Sequence, residues 1–213
     1  MGTSARVRSQ REKGAWRLLS VPGIYDAFQT AIGARGSRQR LVDEFIRARP
    51  GDRVLEVGCG TARMLDHFSV SSYVGIDNNH QYIADARRRY GNRGEFIVAD
   101  VRNLSLDPSQ RYDIVLALGL LHHIDDQTVA QLFSGMRRRL ADGGRMVTGD
   151  AAFVRGQPLF ARLMVTLDRG RHVRTPEEYQ ALARQCFGKV HSTVGNLLPH
   201  LPYTHCIMEC TSE

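Results

Sequence analysis

The run Val54-Leu55-Glu56-Val57-Gly58-Cys59-Gly60-Thr61-Ala62-Arg63-Met64-Leu65 constrains the fold more than any other part of the chain. A short buried strand stops on two closely spaced glycines, and a helix begins at once. Gly58 and Gly60 have no Cβ, so such a turn lets backbone amides come close to a ligand. A dinucleotide fingerprint would read G-x-G-x-x-G, its third glycine serving close helix packing; here that position is Arg63, so a nicotinamide site is the weaker reading.

A glycine turn alone proves little, and the test is whether acids recur where a nucleoside would need them. Tyr73-Val74-Gly75-Ile76-Asp77 reads as a second strand ending in a carboxylate, and an acid at this distance from the turn can accept both ribose hydroxyls. The alternative is a strand-end acid that caps the helix beginning near Asn79. Glu95 to Ala99 reads as a third strand and ends in Asp100-Val101. Asp113 to Leu118 is a fourth, followed by a helix with Val129, Leu132, Phe133, Met136 and Leu140 at helical spacing. Ala141-Asp142-Gly143-Gly144 turns into a fifth strand, Arg145 to Thr148. A short helix around Met64 to Phe68 and another with Tyr82, Ile83, Ala86 and Tyr90 on one face separate the first three strands. This alternation predicts a parallel sheet with helices on both faces and ligands outside the carboxyl ends of the strands. Thr175-Pro176-Glu177-Glu178 is a capping box with proline at the first helical position, and Gly188 after Phe187 marks a stop.

Glu56, Gly58, Gly60 and Ala62 match E-x-G-x-G-x-G with alanine in the last place, and on these residues the chain resembles the class I S-adenosylmethionine-dependent methyltransferases. The resemblance implies an α/β, Rossmann-like, doubly wound sheet of seven strands in the order 3-2-1-4-5-7-6, with strand 7 antiparallel. The last two strands would be Lys189 to Asn196 and Thr204 to Cys210. It implies that Glu56, Gly58, Cys59 and Gly60 wrap the methionine end of the donor and that Asp77 and Asn78 serve its ribose and adenine. Asp100-Val101 resembles the third motif, whose acid bonds the exocyclic amine of adenine and whose next amide pairs with a ring nitrogen. Leu118, at the end of the fourth strand, joins the expected cofactor-binding set.

In a sheet of that order the loop leaving strand four faces the transferred methyl group, and it reads Gly119-Leu120-Leu121-His122-His123. Methyl transfer from a sulfonium is an in-line displacement, so the protein must mainly align the nucleophile, exclude water and remove a proton. Neutral imidazole suits the last task near pH 7, which makes His123 and His122 the candidate bases. The same Leu-His-His run, followed by Asp125-Asp126, occurs in the family among enzymes with different acceptors, so either ring can equally pack on the donor or the next helix. Asp125 and Asp126 read as caps of that helix.

Residues 1–20 read as a basic, flexible tail and 21–213 as one methyltransferase domain, with an N-terminal lid helix around Tyr25 and Phe28, a helix from Arg38 to Ala48, and an insertion at 153–174 after strand five. Tyr25 and His172 are candidate substrate contacts, His172 together with Arg171 or Arg174. Leu159, Phe160, Leu163, Met164, Val165 and Leu167 crowd the insertion helix more densely than a one-sided stripe requires; roofing an apolar acceptor is the first expectation for it, ahead of a dimer face or a membrane contact. The 213 residues suffice for one core. No stretch approaches the roughly 18 apolar residues of a membrane span, and the polar start has no hydrophobic segment of the kind a secretory signal needs. Four cysteines without C-x-x-C spacing fit reduced thiols in a cytoplasm. The net charge of +7 permits nonspecific contact with anionic partners, yet the strand-four loop lacks the Pro-Pro-aromatic run of base methylases, which ranks nucleic acid below a small molecule. No metal site is expected. The chain is therefore expected to be a cytoplasmic monomer or homodimer that uses S-adenosyl-L-methionine, releases S-adenosyl-L-homocysteine, and methylates an oxygen of a small, possibly apolar, molecule. Carbon methylation of a quinone or lipid-like acceptor, RNA methylation and donor binding without turnover are the successive alternatives.

Overall fold

The computed structural model describes residues 34–104, 106–167, 170–197 and 202–213. The basic tail and the lid segment with Tyr25 lie outside the described residues.

Strand β1 (Arg53–Val57) buries four consecutive side chains, as a strand covered on both faces does. Around it stand β2 (Ser72–Asp77), β3 (Glu95–Val98), β4 (Tyr112–Leu118), β5 (Leu140–Ala151), β6 (Lys189–Gly195) and β7 (His205–Thr211), in the order β3-β2-β1-β4-β5-β7-β6. The first four pairings are parallel, whereas β7 runs antiparallel to both β5 and β6. The expected topology is therefore the observed one.

Helices cover both faces. On one, α1 (Ala34–Leu41) and α2 (His80–Tyr90) join the core of Val54, Leu65, Tyr73, Ile83 and Phe96; on the other, α3 (Asp126–Arg137) and α5 (Pro176–Arg184) pack Phe133, Met136, Tyr179 and Ala183 on Leu55, Val57 and Val115. The sequence carries the starts of these helices. The Asn79 side chain accepts from the amides of Gln81 and Tyr82, that of Asp125 from Thr128, and Thr175 and Glu178 form both halves of the capping box.

Four boundaries differ from expectation. The helix expected over Arg38 to Ala48 is α1 followed by a π-helical turn, Val42–Ile46, which ends on Arg47 in the left-handed region at φ 49°. The wider turn brings Leu41, Val42 and Ile46 together into the core. A 3-10 turn, Arg63–Asp66, replaces the short helix expected to Phe68, and the Arg93 guanidinium donates to the Leu65 carbonyl at 2.7 Å. β5 already begins at Leu140, because the Ala141–Gly144 turn is accommodated as a register shift between Tyr112 and Ile114 of β4. α5 stops at Arg184, short of Gly188; that glycine instead admits the C-terminal backbone, since a Cβ there would lie 2.7 Å from the Ser212 carbonyl oxygen.

Candidate active site

The carboxyl ends of β1, β2 and β4 converge where the sheet order reverses, the place where open α/β sheets bind ligands. Gly58 (φ 76°) and Gly60 (φ 55°) take the left-handed backbone that glycine adopts freely, and Ala62, in the family's last glycine position, takes it too at φ 55°. A Cβ on Gly60 would meet nothing within 4 Å, so the space above the turn is open, whereas one on Gly58 would lie 3.2 Å from Leu120. Asp77 fixes this turn: one carboxylate oxygen accepts the Gly60 amide at 2.9 Å and the other the Asn79 amide at 2.8 Å. A carboxylate offers about four lone-pair positions, and with the Asn78 amide also acting on it one is left for a ribose hydroxyl. Burial raises the Asp77 pKa, while the amides of Asn79, Gly60 and Asn78 pull it back. Asn79, not Asp77, caps α2.

Asp100 caps the 3-10 turn Val101–Asn103 and is held by Arg102, whose Nε lies 2.9 Å from Oδ1 and whose NH2 group lies 2.5 Å from Oδ2. The Arg102 amide reaches the same Oδ1 at 3.0 Å, so one lone pair on Oδ2 is left for an exocyclic amine. The Arg102 guanidinium lowers the Asp100 pKa. Glu56 is buried beneath the turn, where its carboxylate accepts the Tyr73 hydroxyl at 2.5 Å. Burial pushes its pKa up to about 7, against the lowering effects of the Tyr73 hydrogen bond and of Arg38. Cys59 is buried as well, and burial drives its thiol pKa well up, which makes it a packing residue and not a nucleophile. Leu118 closes β4 opposite Gly149 of β5.

The His122-His123 turn, a 3-10 segment over Leu121–His123, carries a feature the sequence reading missed. Asp150, two per cent exposed near the end of β5, places Oδ1 2.8 Å from His122 Nδ1 and 3.3 Å from the His122 amide nitrogen. A carboxylate there holds Nδ1 as the proton-bearing nitrogen, which directs basicity to Nε2. The His123 ring lies on that of His122, centroids 4.0 Å apart. Gly170 packs close to the same ring: a Cβ there would stand 2.3 Å from His122 Cδ2. The signal for Asp150 was an acid inside the apolar run Met146 to Ala152.

His172 donates its amide to the His122 carbonyl at 2.9 Å, so its backbone belongs to this cluster and its ring is half-buried beside it. Arg174 is not a surface partner for an acidic substrate, because the guanidinium is buried and committed. It donates to the carbonyls of Leu121 (2.8 Å), Ile124 (2.8 Å) and His172 (2.9 Å) and pairs with Asp126 at 2.6 Å. Asp126 thus anchors Arg174, and Asp125 alone caps α3. The insertion helix α4 (Leu159–Thr166) buries Ala161 and Val165, leaves Met164 half-buried and exposes Leu159, Phe160 and Leu163. Among the described residues no group of three His, Cys, Asp or Glu side chains could hold a metal ion, and no helix is long and apolar enough to cross a membrane.

Residues 54–144 match the family described as methyltransferase domain. A 37.1 kDa transposon protein of Streptomyces fradiae is 30% identical over 132 residues, 59% of this chain and 37% of that protein. The 27-O-demethylrifamycin SV methyltransferase of Amycolatopsis mediterranei is 30% identical over 164 residues, 68% of this chain and 58% of that enzyme. The chain thus spans between about two-fifths and three-fifths of these relatives. Among solved structures, DhpI in complex with SAH superposes with a TM-score of 0.64 at 20% identity, over 90% of this chain and 92% of that one. The matched methyltransferase domain and the strand order together give this chain the class I methyltransferase fold.

Proposed function

We propose that the protein is an S-adenosylmethionine-dependent methyltransferase that acts on a hydroxyl of a small molecule, with His122 as the base and Asp150 orienting it. The donor assignment is carried by Asp77, which braces the open Gly60 turn and keeps a lone pair for ribose. Two relatives in the comparison support it: DhpI is solved with SAH, and the rifamycin enzyme is named for methylation at an oxygen. The donor supplies a methyl group already activated by its sulfonium. What remains for the chain is to hold Gly58 and Gly60 against the methionine end, to seat ribose on Asp77 and adenine on Asp100, and to take a proton at Nε2 of His122. Asp150 stabilises the imidazolium that this transfer forms. His122 is favoured over His123 because the carboxylate partner is at its Nδ1.

Calorimetric titration of donor-free protein with S-adenosylhomocysteine, with NAD as control, tests the donor site. Micromolar binding of the former alone is expected, and Asp77→Ala should weaken it at least about tenfold, the loss of one charge-assisted bond. Unchanged affinity in that variant would remove the ribose assignment.

A further inference from the structure

We propose that the outer face of α4 docks on an anionic lipid surface. A helix that served only to pack would bury its large apolar side chains, and α4 does the reverse. Ala161 and Val165 face the protein, while Leu159, Phe160, Leu163 and Leu167 are 87%, 56%, 48% and 45% exposed. Leu159, Leu163 and Leu167 recur at four-residue steps with Phe160 beside them, so they form one contiguous stripe. Apolar side chains gathered in this way on a water-facing helix mark an interaction site.

The charge around the stripe names the partner. Between 153 and 174 the sequence holds Arg155, Arg162, Arg169, Arg171 and Arg174 against the single acid Asp168. Arg174 is engaged by Asp126 and the loop carbonyls; Arg155 precedes α4 and Arg171 follows it, and both are exposed. Arg162, exposed on the helix itself, lies over the Phe153 ring with its guanidinium carbon 5.3 Å from the centroid. A short helix with leucines and a phenylalanine at its crest and arginines at its flanks suits the boundary between headgroups and acyl chains. The apolar side chains enter by about 5–10 Å, and arginines near the surface add electrostatic attraction to anionic lipid. A second copy of the chain fits less well. The four side chains expose roughly 500 Å², short of the ~800 Å² per partner of a standard protein interface. Because Gly170, just beyond α4, packs on the His122 ring, docking brings the lipid surface beside the candidate active site.

The test is flotation of the full chain with vesicles of phosphatidylcholine and phosphatidylglycerol in equal parts, against phosphatidylcholine alone, at low salt. Binding to the mixed vesicles is expected, at least about tenfold weaker in the double variant Leu159→Glu, Leu163→Glu and weakened again in Arg155→Glu, Arg162→Glu. These side chains face solvent, so unchanged circular dichroism and melting temperature should accompany the loss. No flotation of the unaltered chain overturns the proposal. Equal flotation of the leucine variant also overturns it and shifts the binding to the basic sequence Arg6 to Arg17. A concentration-dependent dimer that the leucine variant abolishes, without vesicle binding, makes the face a contact between copies instead. S-adenosylhomocysteine titration of the same preparation reads the donor site separately, so a failure of the methyl-transfer reading is distinguishable from a failure of this one.

Discussion

Asp150 and His122 are 28 positions apart, yet Oδ1 of the acid faces both the Nδ1 atom and the backbone amide of the histidine. Its other oxygen, Oδ2, is buried without a hydrogen-bond partner among the described residues, an arrangement a purely structural carboxylate would not favour. The half-satisfied charge is explained if its value lies in the imidazolium formed during turnover. Asp150→Asn keeps the shape and removes the charge. We expect kcat to fall on the order of a hundredfold, the low end of what positioned base catalysis contributes. Affinity for S-adenosylhomocysteine should stay within about twofold, because the hydrogen bonds of Asp150 go to His122 and not to the glycine turn. The melting temperature should change little, since the variant also relieves a buried charge. A kcat near that of the unaltered enzyme, with any intact acceptor found in a screen, would return the base to His123 or to the acceptor's own ionisation.

At the level of elements, Arg174 clamps the turn that follows β4 to the segment that leaves α4 and enters α5. Its backbone bridges Ala152 beyond β5, its guanidinium reaches Leu121, Ile124, His172 and Asp126, and it lies 5.5 Å from the centroid of the Tyr179 ring. Arg174→Met fills similar space but leaves three carbonyls without this donor. We expect a loss of about 2–4 kcal/mol in thermal or urea unfolding, since each unmet buried acceptor costs about 1–3 kcal/mol and water can restore some. Arg174→Lys should recover only part, having a point charge and no planar fork. Recovery of full stability by lysine would show that charge, not geometry, holds the turn. These long-range joints explain what the sequence concealed. The Gly58–Gly60 turn after β1, Asp77 at the end of β2 and Asp100 after β3 were legible as strand-end features, because a local pattern suffices there. Arg174 and Asp150 were not, because their partners come from other elements and only the closed sheet brings them together. The insertion helix was legible as apolar, but which of its faces met the protein was not, since Ala161 and Val165 follow the same spacing as Leu159 and Leu163.

For the molecule as a whole, the buried acid beneath the glycine turn ties stability to pH. Glu56 sits within the sheet against Tyr73, with Arg38, Cys59 and Asp77 as the other charged or titratable groups that act on it, and its pKa is raised from 4.5 to about 7. The folded state therefore keeps a proton that the unfolded chain has already released between those values. In that window the native state binds more protons, so unfolding free energy falls as pH rises from about 4.5 to about 7 and is flat in this group above that. Full expression of the shift corresponds to about 3 kcal/mol, at 1.36 kcal/mol per pKa unit. Asp100 and Asp113, whose pKa values are lowered by Arg102 and Arg53, act in the opposite sense, and their contribution is lost as pH falls through the acid range. Urea unfolding of the unaltered chain and of Glu56→Gln at a series of pH values separates the two. Glutamine can still accept from the Tyr73 hydroxyl but does not ionise, so the variant should lose the decline between pH 4.5 and 7 and retain the acid limb set by the aspartates. At pH 8 it should therefore be the more stable protein, provided its added amide hydrogens find water or carbonyl partners. A slope identical to that of the unaltered chain would place the titrating group elsewhere in the sheet.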